Sequence, residues 1–247
     1  MNKNLLITFG CSMTEGYGLY LDDMPLEKPW LHLDNFHEKG WPNKLAKKLK
    51  FHKCLNFGVA GAGISHQSSL FLDSISILEE QYKDWNIHII FQTSASCRIS
   101  AYRNGELCQI GKGFGDNKWM NLYSEIQLSS DLPMTDELLY HRPYIESFIS
   151  ICKLKNIKYT LFGFDHLEHE LLKKIVSDNS NFLEVYTIKQ EERSIDGGHP
   201  NEIGHQNISN HIFDRLPNSW KNGTSETFEW SYIGESMKLK HNYDKIH

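Results

Sequence analysis

Apolar residues recur along the chain in two alternating rhythms. Short runs read as buried strands: Leu5-Leu6-Ile7-Thr8-Phe9, Cys54-Leu55-Asn56-Phe57, Ile87-His88-Ile89-Ile90-Phe91, Tyr159-Thr160-Leu161-Phe162-Gly163, and a fifth over Phe182 to Ile188. Between them the period lengthens to that of a helix. Trp41, Leu45 and Leu49 recur every four residues with lysines between them. Leu70, Phe71, Ser74, Ile75, Leu78 and Tyr82 share one side of a helix expected over Gln67 to Tyr82. Further helices are expected from Thr135 to about Lys155, from Leu167 to Val176, and through Ile203, Ile208, Ile212, Phe213 and Leu216. Strand alternating with helix predicts a three-layer α/β/α domain around an about five-stranded, mainly parallel sheet.

Three stretches break the rhythm. Residues 17–40 form a long connection crowded with Tyr17, Tyr20, Trp30, His32, Phe36 and His37, either one wall of a pocket or a packed surface loop. Residues 93–135 read as an insertion in which glycines alternate with Tyr102, Phe114, Trp119 and Tyr123. Such aromatics suit the stacking of sugar rings, and Arg98 and Arg103 either hold an anionic substrate or are ordinary surface charges. Residues 217–247 lose both periods while keeping Trp220, Phe228, Trp230, Tyr232 and Tyr243. The expected division is a domain over 1–216 followed by a tail, which is either a strap or loose end or a docking segment for a partner or a second copy of the chain.

Composition narrows the function. At 247 residues the chain is long enough for one α/β domain with a sizeable core. A net charge of −5 gives no support to a nucleic-acid partner. No apolar run approaches the ~20 residues of a membrane span. The first residues are too short an apolar stretch for a secretory signal and read as the first strand, so a cytoplasmic protein is expected. The five cysteines, Cys11, Cys54, Cys97, Cys108 and Cys152, are scattered without a CxxC pair, as suits reduced thiols.

Candidate chemistry lies at the two ends of the domain. Gly10-Cys11-Ser12-Met13-Thr14-Glu15-Gly16 follows the first strand, and Ser12 falls in the turn where an open α/β sheet presents reactive groups. A serine needs a base to become a nucleophile. Asp196-Gly197-Gly198-His199-Pro200 supplies a histidine with an acid three residues before it. Asp196 can orient His199, and His199 can take the Ser12 proton. Cys11 is a rival nucleophile. His166 and His169, with Glu168 and Glu170, suggest a metal site only weakly, because no third ligand has supporting spacing.

These blocks resemble those of the SGNH, or GDSL, hydrolases. That family reads Gly-Asp-Ser-x-Thr-x-Gly at the nucleophile and Asp-x-x-His at the last block, matched here by residues 10–16 and by Asp196 and His199. Gly61, within Asn56-Phe57-Gly58-Val59-Ala60-Gly61-Ala62-Gly63, matches the family glycine whose N–H binds the oxyanion. The resemblance covers about residues 4 to 216 and implies a flavodoxin-like fold and a serine esterase without metal or organic cofactor. Its catalytic residues would be Ser12, Asp196 and His199, with Ser12 and Gly61 as oxyanion donors. Two positions depart from the family: Cys11 replaces its aspartate, and Gln92-Thr93-Ser94 carries no asparagine where the third block has one. The missing amide is replaced by the Thr93 or Ser94 hydroxyl, or not at all. The implied partner is a small ester or an acylated saccharide. An acyltransferase using the same site and a non-enzymatic module in a larger assembly are the alternatives.

Overall fold

The computed structural model describes residues 3–22, 36–94, 99–103, 106–110 and 134–234. Within them run seven strands: β1 (Lys3–Gly10), β2 (Lys53–Gly58), β3 (Trp85–Thr93), β4 (Ile99–Arg103), β5 (Glu106–Ile110), β6 (Lys158–Gly163) and β7 (Glu229–Tyr232). The helices are α1 (Ser12–Glu15), α2 (Tyr17–Asp22), α3 (Trp41–Lys48), α4 (Ile64–Gln81), α5 (Met134–Leu154), α6 (His166–Ile175) and α7 (Glu202–Arg215). Five strands form one all-parallel sheet in the order β6-β3-β1-β2-β7. β4 and β5 pair antiparallel in a separate ribbon.

Side-chain alternation along the strands divides the core in two. Leu5, Ile7, Phe9, Leu55, Phe57, Ile89, Phe91 and Leu161 face α4, α5 and α6, meeting Leu70, Phe71, Phe148, Cys152 and Leu172. Leu6, Cys54, Ile90 and Phe162 point the other way, onto Trp41 and Leu45 of α3 and Ile208 and Ile212 of α7. Helices on both faces bury the central strands β1, β2, β3 and β6 over most of their length, which is why these read as near-continuous apolar runs. Among the described residues no helix is long and apolar enough to cross a membrane.

The structure changes two expectations. Phe182 to Ile188 is not the fifth strand. It runs beside β6 with one isolated bridge, Leu161 to Phe182, and a few backbone bonds such as Leu183 N–H to Leu161 O, without a regular ladder. The fifth strand is β7, and Trp220 sits in the second core cluster. Residues 217–234 are therefore built into the sheet and core rather than lying beyond a boundary at 216. Their strand was hidden because it is four residues long and half polar. A smaller shift concerns α4, which begins at Ile64, directly after the glycine-rich loop. Trp30, His32, Arg98, Phe114, Trp119, Tyr123 and Tyr243 lie outside the described residues, as does the stretch 111–133 of the expected insertion.

One buried polar group stands out in the second core. His88 on β3 is packed against the rings of Phe51 and Trp220, 4.6 and 4.8 Å away, and neither ring nitrogen has a hydrogen-bond partner among the described residues. Burial, helped by nearby Lys158, pushes its pKa down to about 3. Burial likewise lowers His37 to about 4, against the pull of its bond to the Glu15 carbonyl. A histidine held neutral in the fold binds a proton more readily when unfolded. Each such group contributes stability above its ordinary pKa of about 6.5, lost as pH falls toward the folded value, at on the order of 1 kcal/mol per pH unit. The melting temperature should therefore drop from pH 7 to pH 5, and His88→Leu should flatten that drop. An unchanged slope in the variant, measured by differential scanning calorimetry, would exclude His88 as a source.

Candidate active site

The C-terminal ends of β1, β2 and β3 lie side by side, and each contributes to one polar cluster. β1 delivers Ser12 as the first residue of α1, a helix of a single turn. Such a turn has little stability of its own. Gly16 N–H donates to Ser12 O at 2.9 Å, Thr14 and Glu15 N–H donate to Cys11 O at 2.9 and 3.0 Å, and neighbouring strands add further support. Asn56 on β2 donates its amide to Thr14 O at 2.8 Å, and its oxygen accepts from Gly58 N–H at 2.8 Å and from the Thr8 hydroxyl at 3.3 Å. Gln92 on β3 accepts from Cys11 N–H at 3.2 Å and from the Thr14 hydroxyl, and donates to Cys11 Sγ at 3.0 Å. Both amides are buried almost completely. The fit is tight enough that a Cβ on Gly10 would lie 2.0 Å from Thr14 Oγ1 and 2.6 Å from Gln92 Oε1, so only glycine serves there.

His199 arrives from the loop before α7. Its Nε2 lies 2.8 Å from Ser12 Oγ, across 187 positions of sequence. Nδ1 is hydrogen-bonded to Asp196 Oδ2. A carboxylate accepts only, so Nδ1 carries the proton and Nε2 presents its lone pair to the Ser12 hydroxyl. The loop prepares this arrangement locally. Asp196 Oδ1 accepts from the Ser194 hydroxyl at 2.9 Å, from Gly198 N–H at 2.9 Å and from His199 N–H at 3.0 Å. Partial burial pushes the Asp196 carboxyl up, but these donors and the imidazole outweigh it and hold the group far below the usual carboxylate range. Asp196 is therefore ionised at neutral pH. The Tyr17 ring lies 5.1 Å from the imidazole and narrows its freedom to swing. The His199 and Asp196 side chains remain 22% and 28% exposed.

The four residues named as oxyanion donors fare differently. The Ser12 and Gly61 N–H groups donate to no acceptor among the described residues, and Val59 N–H to Gly10 O at 3.0 Å ties the Gly61 loop to the Ser12 turn. Thr93 is turned away. His169 donates Nε2–H to Leu183 O at 2.8 Å, so its Nδ1 is an acceptor, 3.0 Å from the Thr93 hydroxyl, with Phe162 O on the other side at 3.3 Å. The single Thr93 proton is held by these acceptors. Ser94 instead accepts from Gln67 Nε2 at 3.2 Å, which leaves its own proton for another acceptor. Cys11 Sγ faces Gln92 beneath the turn, while His199 faces Ser12. His169 is committed to Thr93 and Leu183, and among the described residues no group of three or more His, Cys, Asp or Glu is placed to hold a metal.

Gln92 and Asn56 are the site residues that sequence reasoning passed over. Asn56 stood in view as the first residue of the glycine-rich block, and Gln92 as a polar residue ending an apolar strand. Removing the Gln92 amide leaves the Cys11 N–H and Thr14 hydroxyl buried without an acceptor. Gln92→Leu should lower the unfolding free energy by about 2–3 kcal/mol, read from the urea midpoint. A loss below about 0.5 kcal/mol would mean that the turn does not depend on this residue.

No protein-family model matches the chain, and no curated protein matches its sequence. Solved structures share its fold. An acetyl xylan esterase (Est2A) from the rumen bacterium Butyrivibrio proteoclasticus aligns with a TM-score of 0.57 at 15% identity, over 89% of this chain and 66% of that one. A carbohydrate esterase, whose active site is described as displaying divergent catalytic and non-catalytic binding functions, aligns at 0.55 and 13% identity, over 89% and 67%. LAE5, an α/β hydrolase from the metagenome of Lake Arreo, Spain, aligns at 0.51 and 12%, over 87% and 96%. The chain thus spans about two thirds of the length of the first two. At such identities the likeness is one of fold.

Proposed function

We propose that the chain is a serine esterase of the SGNH type, with Ser12 as nucleophile, His199 as general acid and base, and Asp196 as the group that orients it. The observation that carries this reading is the 2.8 Å approach of His199 Nε2 to Ser12 Oγ with the Asp196 carboxylate on the opposite nitrogen. In the first step His199 Nε2 takes the Ser12 proton as Oγ attacks the ester carbonyl. Charge gathers on the carbonyl oxygen, where the N–H groups of Ser12 and Gly61 and the Ser94 hydroxyl donate. His199 then passes its proton to the departing alkoxide, leaving the acyl group on Ser12. A water, deprotonated by the same nitrogen, cleaves that ester and restores the serine. Asp196 stays ionised throughout and stabilises the imidazolium.

The substrate we propose is a short acyl group on a carbohydrate hydroxyl. Its support is the fold shared with an acetyl xylan esterase and a carbohydrate esterase. It also fits the aromatic composition around residues 93–135. The domain we assign to this activity comprises residues 1–216 together with the C-terminal strand.

With acetylated xylo-oligosaccharides and short-chain aryl esters as substrates, His199→Ala should lower kcat by at least about 10³-fold while leaving the circular dichroism spectrum unchanged. Ser94→Ala should lower kcat by about 10²-fold, the usual cost of one oxyanion donor. An unchanged rate in the first variant would remove His199 from the mechanism, and in the second would leave the oxyanion to the two backbone groups.

A further inference from the structure

The front of the nucleophile turn is gripped from β2 and β3. Its far end is gripped from elsewhere. Glu15, the last residue of α1, is buried, 6% exposed, three positions after Ser12. A carboxylate in such a place needs donors. The Tyr232 hydroxyl on β7 donates to Glu15 Oε1 at 3.1 Å. His37, from the short 3-10 turn Phe36–Lys39, donates Nδ1–H to Glu15 O at 2.7 Å. The His37 ring is stacked on the Tyr232 ring, with centroids 3.7 Å apart and planes 16° from parallel.

Tyr232 is itself fixed by backbone. It lies opposite Asn56 in the β2–β7 register, and Ile233 N–H donates to Asn56 O at 2.9 Å. Asn56 thus holds the C-terminal segment with its carbonyl and the nucleophile turn with its amide. The contact between the two has no room to relax: a Cβ on Gly234 would meet Gly58 O at 2.2 Å, and one on Gly58 would meet Glu15 N at 2.3 Å. Backbone from β7, β2 and α1 is stacked layer on layer.

We propose that Tyr232 is a positioning residue for the Ser12 turn, which makes the C-terminal strand part of the active site's machinery. The proposal rests on the reading of Ser12 as the nucleophile. Its logic is mechanical. The carbonyl of Ser12 is tied to Gly16 N–H, directly after Glu15, so the orientation of Glu15 sets that of the whole turn. Without the Tyr232 hydroxyl the buried carboxylate loses the donor that ties the end of α1 to β7, and the turn shifts. A displacement of this kind at a reacting atom costs rate far more than binding.

Tyr232→Phe removes the hydroxyl and keeps the ring stack and the strand pairing. In the full-length protein it should lower kcat for a short-chain aryl ester about tenfold and slow labelling of Ser12 by a fluorophosphonate equally, with KM within about twofold. Gly234→Ala, which lifts the same segment from the backbone side, should act in the same direction. Thr160→Val on β6, which removes a hydroxyl bond to Asn181 O, controls for a loss of stability alone and should leave the labelling rate unchanged. Labelling and kcat within twofold of wild type in both Tyr232→Phe and Gly234→Ala would overturn the proposal. A wild-type protein that is not labelled at Ser12 would overturn the reading of Ser12 itself, and the proposal with it.

Discussion

A single helical turn has too few internal hydrogen bonds to keep its own shape. α1 is such a turn, and Ser12 opens it. Everything the site can do depends on how that turn is held from outside. Beneath it, Thr8, Asn56 and Gln92 replace apolar residues at the ends of three neighbouring strands, on the same sheet face as Leu6, Cys54 and Ile90. Burying two amides and a hydroxyl is costly unless each finds a partner. Here the turn provides partners: Cys11 N–H, the Thr14 hydroxyl and the Thr14 carbonyl are joined to them. The polar platform and the turn satisfy each other, so neither has a comparable alternative.

The parallel sheet makes that economy available. Its strands end together along one edge, so loops far apart in sequence become neighbours without any one of them reaching far. The His199 loop illustrates the division of labour. Asp196 collects its donors from residues 194–199, so the carboxylate and imidazole are arranged before the loop meets the rest of the site. The sheet has only to bring the finished pair beside Ser12. The Ser12 turn is the opposite case, a segment held largely by others.

What was legible in the sequence follows from this contrast. Strands buried on both faces and amphipathic helices announce themselves by period, and the self-contained Asp196–His199 loop announces itself by local spacing. Gln92 did not, because an amide where a resemblance leads one to expect Gly-x-Asn reads as a loss rather than as a replacement clamp. Thr93 and Ser94 were indistinguishable because a hydroxyl's direction depends on its partner, and the partner of Thr93 is His169, 76 positions away. β7 was missed for a related reason. Glu229-Trp230-Ser231-Tyr232 alternates polar and aromatic over too short a span to stand out, and its role depends on a long-range pairing with β2.

The proposed mechanism requires that during turnover the acyl group reside on Ser12 Oγ. Rapid quenching in acid during hydrolysis of a short-chain ester, followed by proteolysis and mass spectrometry, reads this directly. The expected result is an acyl mass on the peptide bearing residues 10–16, assigned by fragmentation to Ser12 and present in greater yield when deacylation is slowed. An adduct assigned to Cys11, or turnover that proceeds with no adduct on this peptide under any quench time, would contradict it.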